Sequence, residues 1–161
     1  MTLTAEMARA LFEYNEQTGV LVNRVTRGAA KAGKVVGVPH HTGYLTTTVN
    51  YKHALVHRII WLIKTGAYPK HSIDHIDMDK INNRWSNLRE ATGSQQNGNK
   101  RLMSNNKSGW KGVRKSKNRW QALLTLNGKQ RLVGSFETAE EAVAARAEAA
   151  QKQFGEFYNH G

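Results

Sequence analysis

The stretch IDHIDMDKINNRWSNLREATGSQQNGN, residues 73–99, decides how this chain is read. Asp74 and His75 stand side by side. Asn87 follows inside Asn87-Leu88-Arg89, and Gln95, Gln96, Asn97 and Asn99 close the run with amide carbonyls. A phosphodiester is cut by in-line attack of water as the 3′ oxygen leaves. The leaving oxygen needs a Lewis acid and the water needs a base. Asp74 offers a hard anionic oxygen suited to Mg2+ or Mn2+. His75 is the natural base, with an ordinary pKa of about 6.5. Adjacent strand residues point to opposite faces, so the pair must sit where a strand ends or bends. Asn87 is suited to accept the other ring N–H of His75 and fix its tautomer.

Outward from this stretch, charge names the partner. The 161 residues carry 24 Lys+Arg against 12 Asp+Glu, a formal charge of +12. Such an excess favours a polyanion. From Ala91 to Phe136 there is no acidic residue, while ten Lys and Arg fall in the same run, Lys100 and Arg101 among them. A solvated face normally mixes signs, so this run points to nucleic-acid contact, with strongly salt-dependent binding. The longest apolar run, Ile59 to Ile63, is far short of the ~20 residues of a membrane span. The start of the chain lacks the basic cluster and apolar core of a signal peptide. With no cysteine there are no disulfides or thiolate zinc sites, and a cytoplasmic location is expected, a bacterial host cell if the gene is a phage's.

The pattern divides the chain in two. Leu11 to Tyr14 and Val20 to Asn23 read as short strands around a turn-like loop. Tyr44 to Asn50 is a β-branched strand with which His53 to His57 pairs back. Arg58 to Lys64 reads as a helix ended by Gly66. His57 is assigned to packing rather than to metal. Asn97 to Gly109 reads as a linker. Beyond it come strands over Lys111–Lys115, Arg119–Leu126 and Gln130–Phe136, with Asn127-Gly128 a strong type I′ hairpin signal. Alternation puts Trp120, Ala122 and Leu124 on one face and Gln121, Leu123 and Thr125 on the other. Thr138-Ala139-Glu140-Glu141 is a capping box opening an Ala-rich helix to about Gln153.

The order Asp74-His75, Asn82-Asn83-Arg84, Asn87-Leu88-Arg89, then amides, resembles the HNH endonucleases of the phage and homing type. Upstream, His57-Arg58, Trp61, Gly66 and Pro69 are similar to the run that leads into the motif in many phage members. The resemblance covers about residues 10 to 102. It implies a ββα-metal core binding one divalent ion, with Asp74 a ligand and His75 the base. The helix ligand is a His or Asn in the family. Ungapped spacing favours Gln96 and side-chain identity favours Asn97, and both stay open.

A second resemblance covers about residues 106 to 159. Gly109-Trp110-Lys111-Gly112-Val113-Arg114, Trp120-Gln121-Ala122 and Val133-Gly134-Ser135-Phe136-Glu137-Thr138-Ala139-Glu140-Glu141-Ala142 resemble the AP2 DNA-binding domains. This implies a three-stranded sheet in the major groove with a helix behind it. Candidate DNA contacts are Lys111, Arg114, Lys117, Arg119, Gln121, Thr125 and Arg131. Leu123 and Thr125 stand where plant factors carry Glu and Arg, so base specificity does not transfer.

The expected protein is α+β, with an HNH nuclease domain over 1–102 and an AP2-like DNA-binding domain over 103–161. The expected function is metal-dependent hydrolysis of DNA, with double-stranded DNA as partner, no small-molecule cofactor and a monomer favoured. The alternative is a DNA-binding regulator whose nuclease core has decayed.

Overall fold

The computed structural model describes residues 2–99, 102 and 106–159. The chain forms two compact units, Met1–Glu90 and Ala91–Gly161.

The first unit opens with α1, Ala5–Leu11, capped by the Thr4 hydroxyl, which accepts from the Met7 N–H at 3.2 Å. Such a cap satisfies one of the helix's orphan N–H groups. Strands β1, Phe12–Asn15, and β2, Val20–Asn23, form an antiparallel hairpin. Strands β3, Val38–Pro39, β4, Leu45–Val49, and β5, Lys52–Leu55, form a second antiparallel sheet with β4 in the middle. Helix α2, Val56–Thr65, follows and stops at Gly66, which takes the left-handed conformation (φ 82°). The helix therefore begins earlier than Arg58. Val56, Ile59, Ile60 and Leu62 recur at helical spacing and are buried together, which overrides strand pairing from Val56 onward. They pack with Phe12, Leu21, Ile73 and Leu88. Strand β6, Ser72–His75, pairs with β7, Leu88–Ala91, and a 3-10 turn at Trp85–Asn87 leads into β7. Along β6, Ile73 and His75 are buried and Asp74 is half-buried, the two-residue alternation of a pleated strand.

The second unit opens with α3, Gly93–Gly98, started by a reciprocal capping box between Thr92 and Gln95. Part of the expected linker is thus helical; residues 100, 101 and 103–105 of it lie outside the described residues. The division between units falls before Ala91 rather than after residue 102, because Ala91 is buried with Leu124, Ala150, Phe154 and Phe157. Strands β8, Val113–Ser116, β9, Arg119–Leu126, and β10, Lys129–Phe136, form an antiparallel sheet in the order β10-β9-β8. Helix α4, Ala139–Phe154, starts at the Thr138–Glu141 capping box and ends in a 3-10 turn, Gly155–Phe157. Its Ala142 is buried with Val113 and Ala122, and Trp120 and Phe136 close over them. Small side chains on α4 let helix and sheet approach closely. Trp120 is thus on the core face, as the alternation of β9 requires.

Candidate active site and nucleic-acid interface

Strand β6 delivers Asp74 and His75 at its end, as their adjacency demands. The Asp74 carboxylate accepts two bonds on Oδ2 from Arg89 of β7, from Nε at 3.0 Å and from Nη2 at 2.9 Å. Both side chains are only 12% exposed. A buried carboxylate needs such a partner, since removing one member of the pair leaves an uncompensated charge. A carboxylate has about four lone-pair positions, so Arg89 and a hard cation can share it.

His75 is buried, and its Nε2 lies 3.1 Å from Asn83 Oδ1. An amide oxygen only accepts, so Nε2 carries the proton and the neutral ring keeps its lone pair on Nδ1. The ring sits edge-on to His57 at 5.2 Å and against Tyr44 at 5.8 Å. Burial lowers the pKa of His75 below its ordinary value; the Asn83 bond and the charges of Asp77, Asp74 and Asp79 recover only part of this. His57 is more strongly affected, held down to about 3 by burial, with His75 and Arg58 adding to it.

The expected bond from Asn87 to His75 is corrected. Asn87 Oδ1 accepts from the Asp77 N–H at 3.0 Å, and its Nδ2 donates to Asp77 Oδ1 at 2.9 Å and to the Asn82 carbonyl at 2.8 Å. Its amide is spent folding the loop between β6 and the 3-10 turn. Asn82 adds a bond to Asp77 Oδ2 at 2.6 Å. Burial raises the pKa of Asp77, but the bonds from Asn82, the Asp79 N–H and Asn87, with His75 nearby, outweigh it and hold the group below its usual range. The residue that fixes the ring of His75 is therefore Asn83.

Asn83 is itself gripped by the β1–β2 hairpin. Tyr14 donates its hydroxyl to the Asn83 carbonyl at 2.8 Å. Arg84 Nε donates to the Gln17 carbonyl at 2.8 Å and the Trp85 N–H to the Glu16 carbonyl at 3.2 Å. Gly19, with φ at 76°, approaches so closely that a Cβ there would lie 2.6 Å from the Arg84 nitrogen. Burial and the nearby Glu16 push the Tyr14 phenol up to about 12, against a smaller opposing effect of the backbone bond at Trp85, so it remains a donor.

Gln96 and Asn97 lie on α3, in the second unit. Among the described residues, no three His, Cys, Asp or Glu side chains gather into a metal cage. A set of one carboxylate plus amide oxygens is an oxygen donor set, which fits Mg2+ or Mn2+ and not a thiolate-bound metal. Mg2+ is commonly held by one or two carboxylates plus the substrate's own phosphates.

On the sheet of the second unit, cross-strand register sorts the predicted DNA contacts. Arg114 lies opposite Gln121, which lies opposite Ser135, and Thr125 lies opposite Gln130. These share the face away from Ala122 and Leu124, as does Arg119, which bonds Ser135 Oγ at 3.2 Å. Lys117 sits exposed in the β8–β9 turn. Two assignments are corrected. Arg131 lies opposite Leu124 and so belongs to the helix side of the sheet, with Leu132 on the outer face in its stead. Lys111 precedes β8, and its ammonium donates to the Gly98 carbonyl at 2.8 Å, a helix-end cap rather than a strand-face contact.

One signal escaped the sequence reading. From Gln17 to Ile73 there is also no acidic residue, a longer run than the one in the second unit, and it holds Arg24, Arg27, Lys31, Lys34, Lys52, Arg58, Lys64 and Lys70. It spans β2 to β5 and α2. No helix of the described residues is long and apolar enough to cross a membrane.

Residues 54–98 match the family model of HNH endonucleases. An uncharacterized HNH endonuclease of Acanthamoeba polyphaga mimivirus is 41% identical over 105 residues, 63% of this chain and 54% of that protein. Protein 3.8 of Escherichia phage T7 is 37% identical over 83 residues, 50% of this chain and 69% of that protein. The chain thus spans about half the length of the mimivirus relative. The solved structure reporting DNA binding and cleavage by the HNH homing endonuclease I-HmuI aligns over 89% of this chain and 77% of that one, at a TM-score of 0.39 and 17% identity.

Proposed function

We propose that this chain, whose residues 54–98 match the HNH endonuclease family model, is a metal-dependent DNA endonuclease with a separate, AP2-like DNA-binding module. The observation that carries this reading is the His75–Asn83 bond beside Asp74. A histidine is held neutral, in one tautomer, next to a hard oxygen donor.

In this reading His75 Nδ1 accepts a proton from the attacking water. Asn83 accepts from Nε2 and so keeps Nδ1 the basic nitrogen until that proton arrives. A Mg2+ or Mn2+ ion, when bound, supplies charge stabilisation to the leaving 3′ oxygen. Asp74 would hold it, and the resemblance assigns a further protein ligand to Gln96 or Asn97. Arg89 orients the Asp74 carboxylate and offsets its charge, so cation binding is weak until DNA phosphate contributes. Asn87 acts through the loop fold. The outer face of the second sheet, with Arg114, Lys117, Arg119, Gln121 and Thr125, supplies affinity for duplex DNA.

Plasmid cleavage with Mg2+, with Mn2+ and with a chelator tests the proposal. Cleavage should require the cation. His75→Ala should remove it almost wholly while DNA binding persists. Asp74→Asn, which still offers Arg89 an acceptor, should lose cleavage too. Full cleavage by His75→Ala, or undiminished cleavage in chelator, refutes the mechanism.

A further inference from the structure

Two hairpins in this chain have the same tight turn built from different residues. Leu126 pairs with Lys129 across Asn127-Gly128, with φ of 49° and 76°. Val49 pairs with Lys52 across Asn50-Tyr51, with φ of 50° and 63°. Both are two-residue loops with positive φ at each central residue, the backbone of a type I′ turn, for which Asn-Gly is the favoured pair. At the second position the first unit carries a tyrosine. A bulky side chain in the left-handed region is strained relative to glycine. Packing does not compensate: Tyr51 is fully exposed.

We propose that Tyr51 is a DNA-contacting wedge, an aromatic ring that stacks on or inserts at a base step of duplex DNA bound by the first unit. Its surroundings fit that ligand. Lys52 and His53 beside it are exposed. The sheet that carries it borders an open groove of about 570 Å³ lined in part by Lys31, Lys34, Thr46, Thr48 and His53. All of this lies inside the acid-free run from Gln17 to Ile73. A ring projecting from a basic stretch of chain without acidic residues finds its complement in a polyanion with apolar stacking faces, which is nucleic acid.

The fold also bounds where the wedge acts. Tyr51 stands at the far end of β5 from α2, and His57 on α2 touches the ring of His75. At about 3.4 Å per extended residue the tip lies within roughly 25 Å of His75, or about seven base pairs of B-form duplex. Apolar side chains that enter a base step unstack it and kink the duplex. The inference rests on the DNA-binding half of the reading above and not on cleavage.

The test uses the full chain in chelator, so that cleavage does not enter. The probe is a mixed-sequence duplex carrying 2-aminopurine in place of several adenines, whose fluorescence rises on unstacking. The wild-type protein should raise the signal. Tyr51→Gly and Tyr51→Asn should abolish the rise and weaken binding roughly tenfold. Both suit the turn, so neither should lower the melting temperature, and Tyr51→Gly should raise it. Tyr51→Phe should retain the signal. Equal affinity and equal fluorescence in Tyr51→Gly and Tyr51→Asn would overturn the proposal.

Discussion

The two units use polar side chains in opposite ways. In the first, they are buried and interlocked: His75, Asn83 and Asn87 are each under a tenth exposed, and Asp74 and Arg89 form a shielded pair. In the second, Arg114, Lys117 and Arg119 stand exposed on a sheet whose core is built largely of alanines, leucine and aromatic rings. The difference fits the tasks proposed for them. Moving a proton at a defined atom requires a ring held within a fraction of an ångström. Attraction to phosphate requires only charge near a surface and tolerates motion. The first unit should therefore be brittle to small changes and the second forgiving.

Gly19→Ala should break the first unit most severely. Its Cβ would meet the Arg84 nitrogen at 2.6 Å and the Asn83 carbonyl carbon at 2.7 Å, at a φ of 76°. Backbone lies on the other side, so no side chain can swing away. A loss of about 3 kcal/mol is expected in chemical denaturation, with cleavage reduced in whatever remains folded. A variant with wild-type stability would show that the hairpin does not grip the loop.

Asn83→Ala should come next. It leaves His75 without the acceptor that fixes its proton, and cleavage should fall about ten- to a hundredfold. Asn83→Asp, which keeps an oxygen there, should recover a large part of the rate and shift the pH profile upward, because a carboxylate raises the pKa of His75. A purely structural role would leave that profile in place.

Acid supplies the third test. His57 titrates near 3 in the folded chain and near its ordinary 6.5 when unfolded. Between those values the unfolded state binds more protons. Stability from this group is complete above about pH 6.5 and drains as the pH falls toward 3. From pH 7 to pH 5 the loss should be about 2 kcal/mol, and the lowered pKa of His75 acts in the same direction. His57→Gln should flatten the dependence in denaturation measured at several pH values. An unchanged slope would remove His57 as its source.

The smallest effect belongs to the second unit. Arg114→Ala or Arg119→Ala should weaken DNA binding by about 1 kcal/mol and reduce its salt slope by about one. Arg131→Ala should do much less, because register puts it opposite Leu124. The reverse ranking would mean that DNA lies on the other face.

What was legible from sequence was whatever had a period or a fixed turn chemistry. The alternation of Trp120, Ala122 and Leu124 gave the core face of β9, Asn127-Gly128 gave its hairpin, and Thr138 with Glu141 gave the start of α4. Helix α1 had no such signal, since its seven residues bury only Ala8. The six residues of α3 are too few for a stripe, although Thr92 and Gln95 spell a capping box. The adjacency of Asp74 and His75 placed the pair at the end of a strand, where β6 has them. The choice between Asn83 and Asn87 as partner of His75 was not legible. Both amides sit in the same loop, and only the path of the backbone decides which turns toward the ring. Arg131 was legible but missed: the Asn127-Gly128 turn pairs Leu126 with Lys129 and so sets Arg131 opposite Leu124, ahead of the bulge between Leu132 and Gly134.

The grip of the β1–β2 hairpin on Asn83 bears on how such genes can recombine. The segment that defines the family, residues 54–98, contains Asp74, His75 and Asn83 but not Tyr14, Gln17 or Gly19. A crossover at residue 54 would import Asp74, His75 and Asn83 and leave behind the hairpin that holds the Asn83 loop. Functional exchanges between relatives should therefore have their breakpoints before Phe12, and chimaeras joined at residue 54 should work only when the recipient's own hairpin can close on the imported loop.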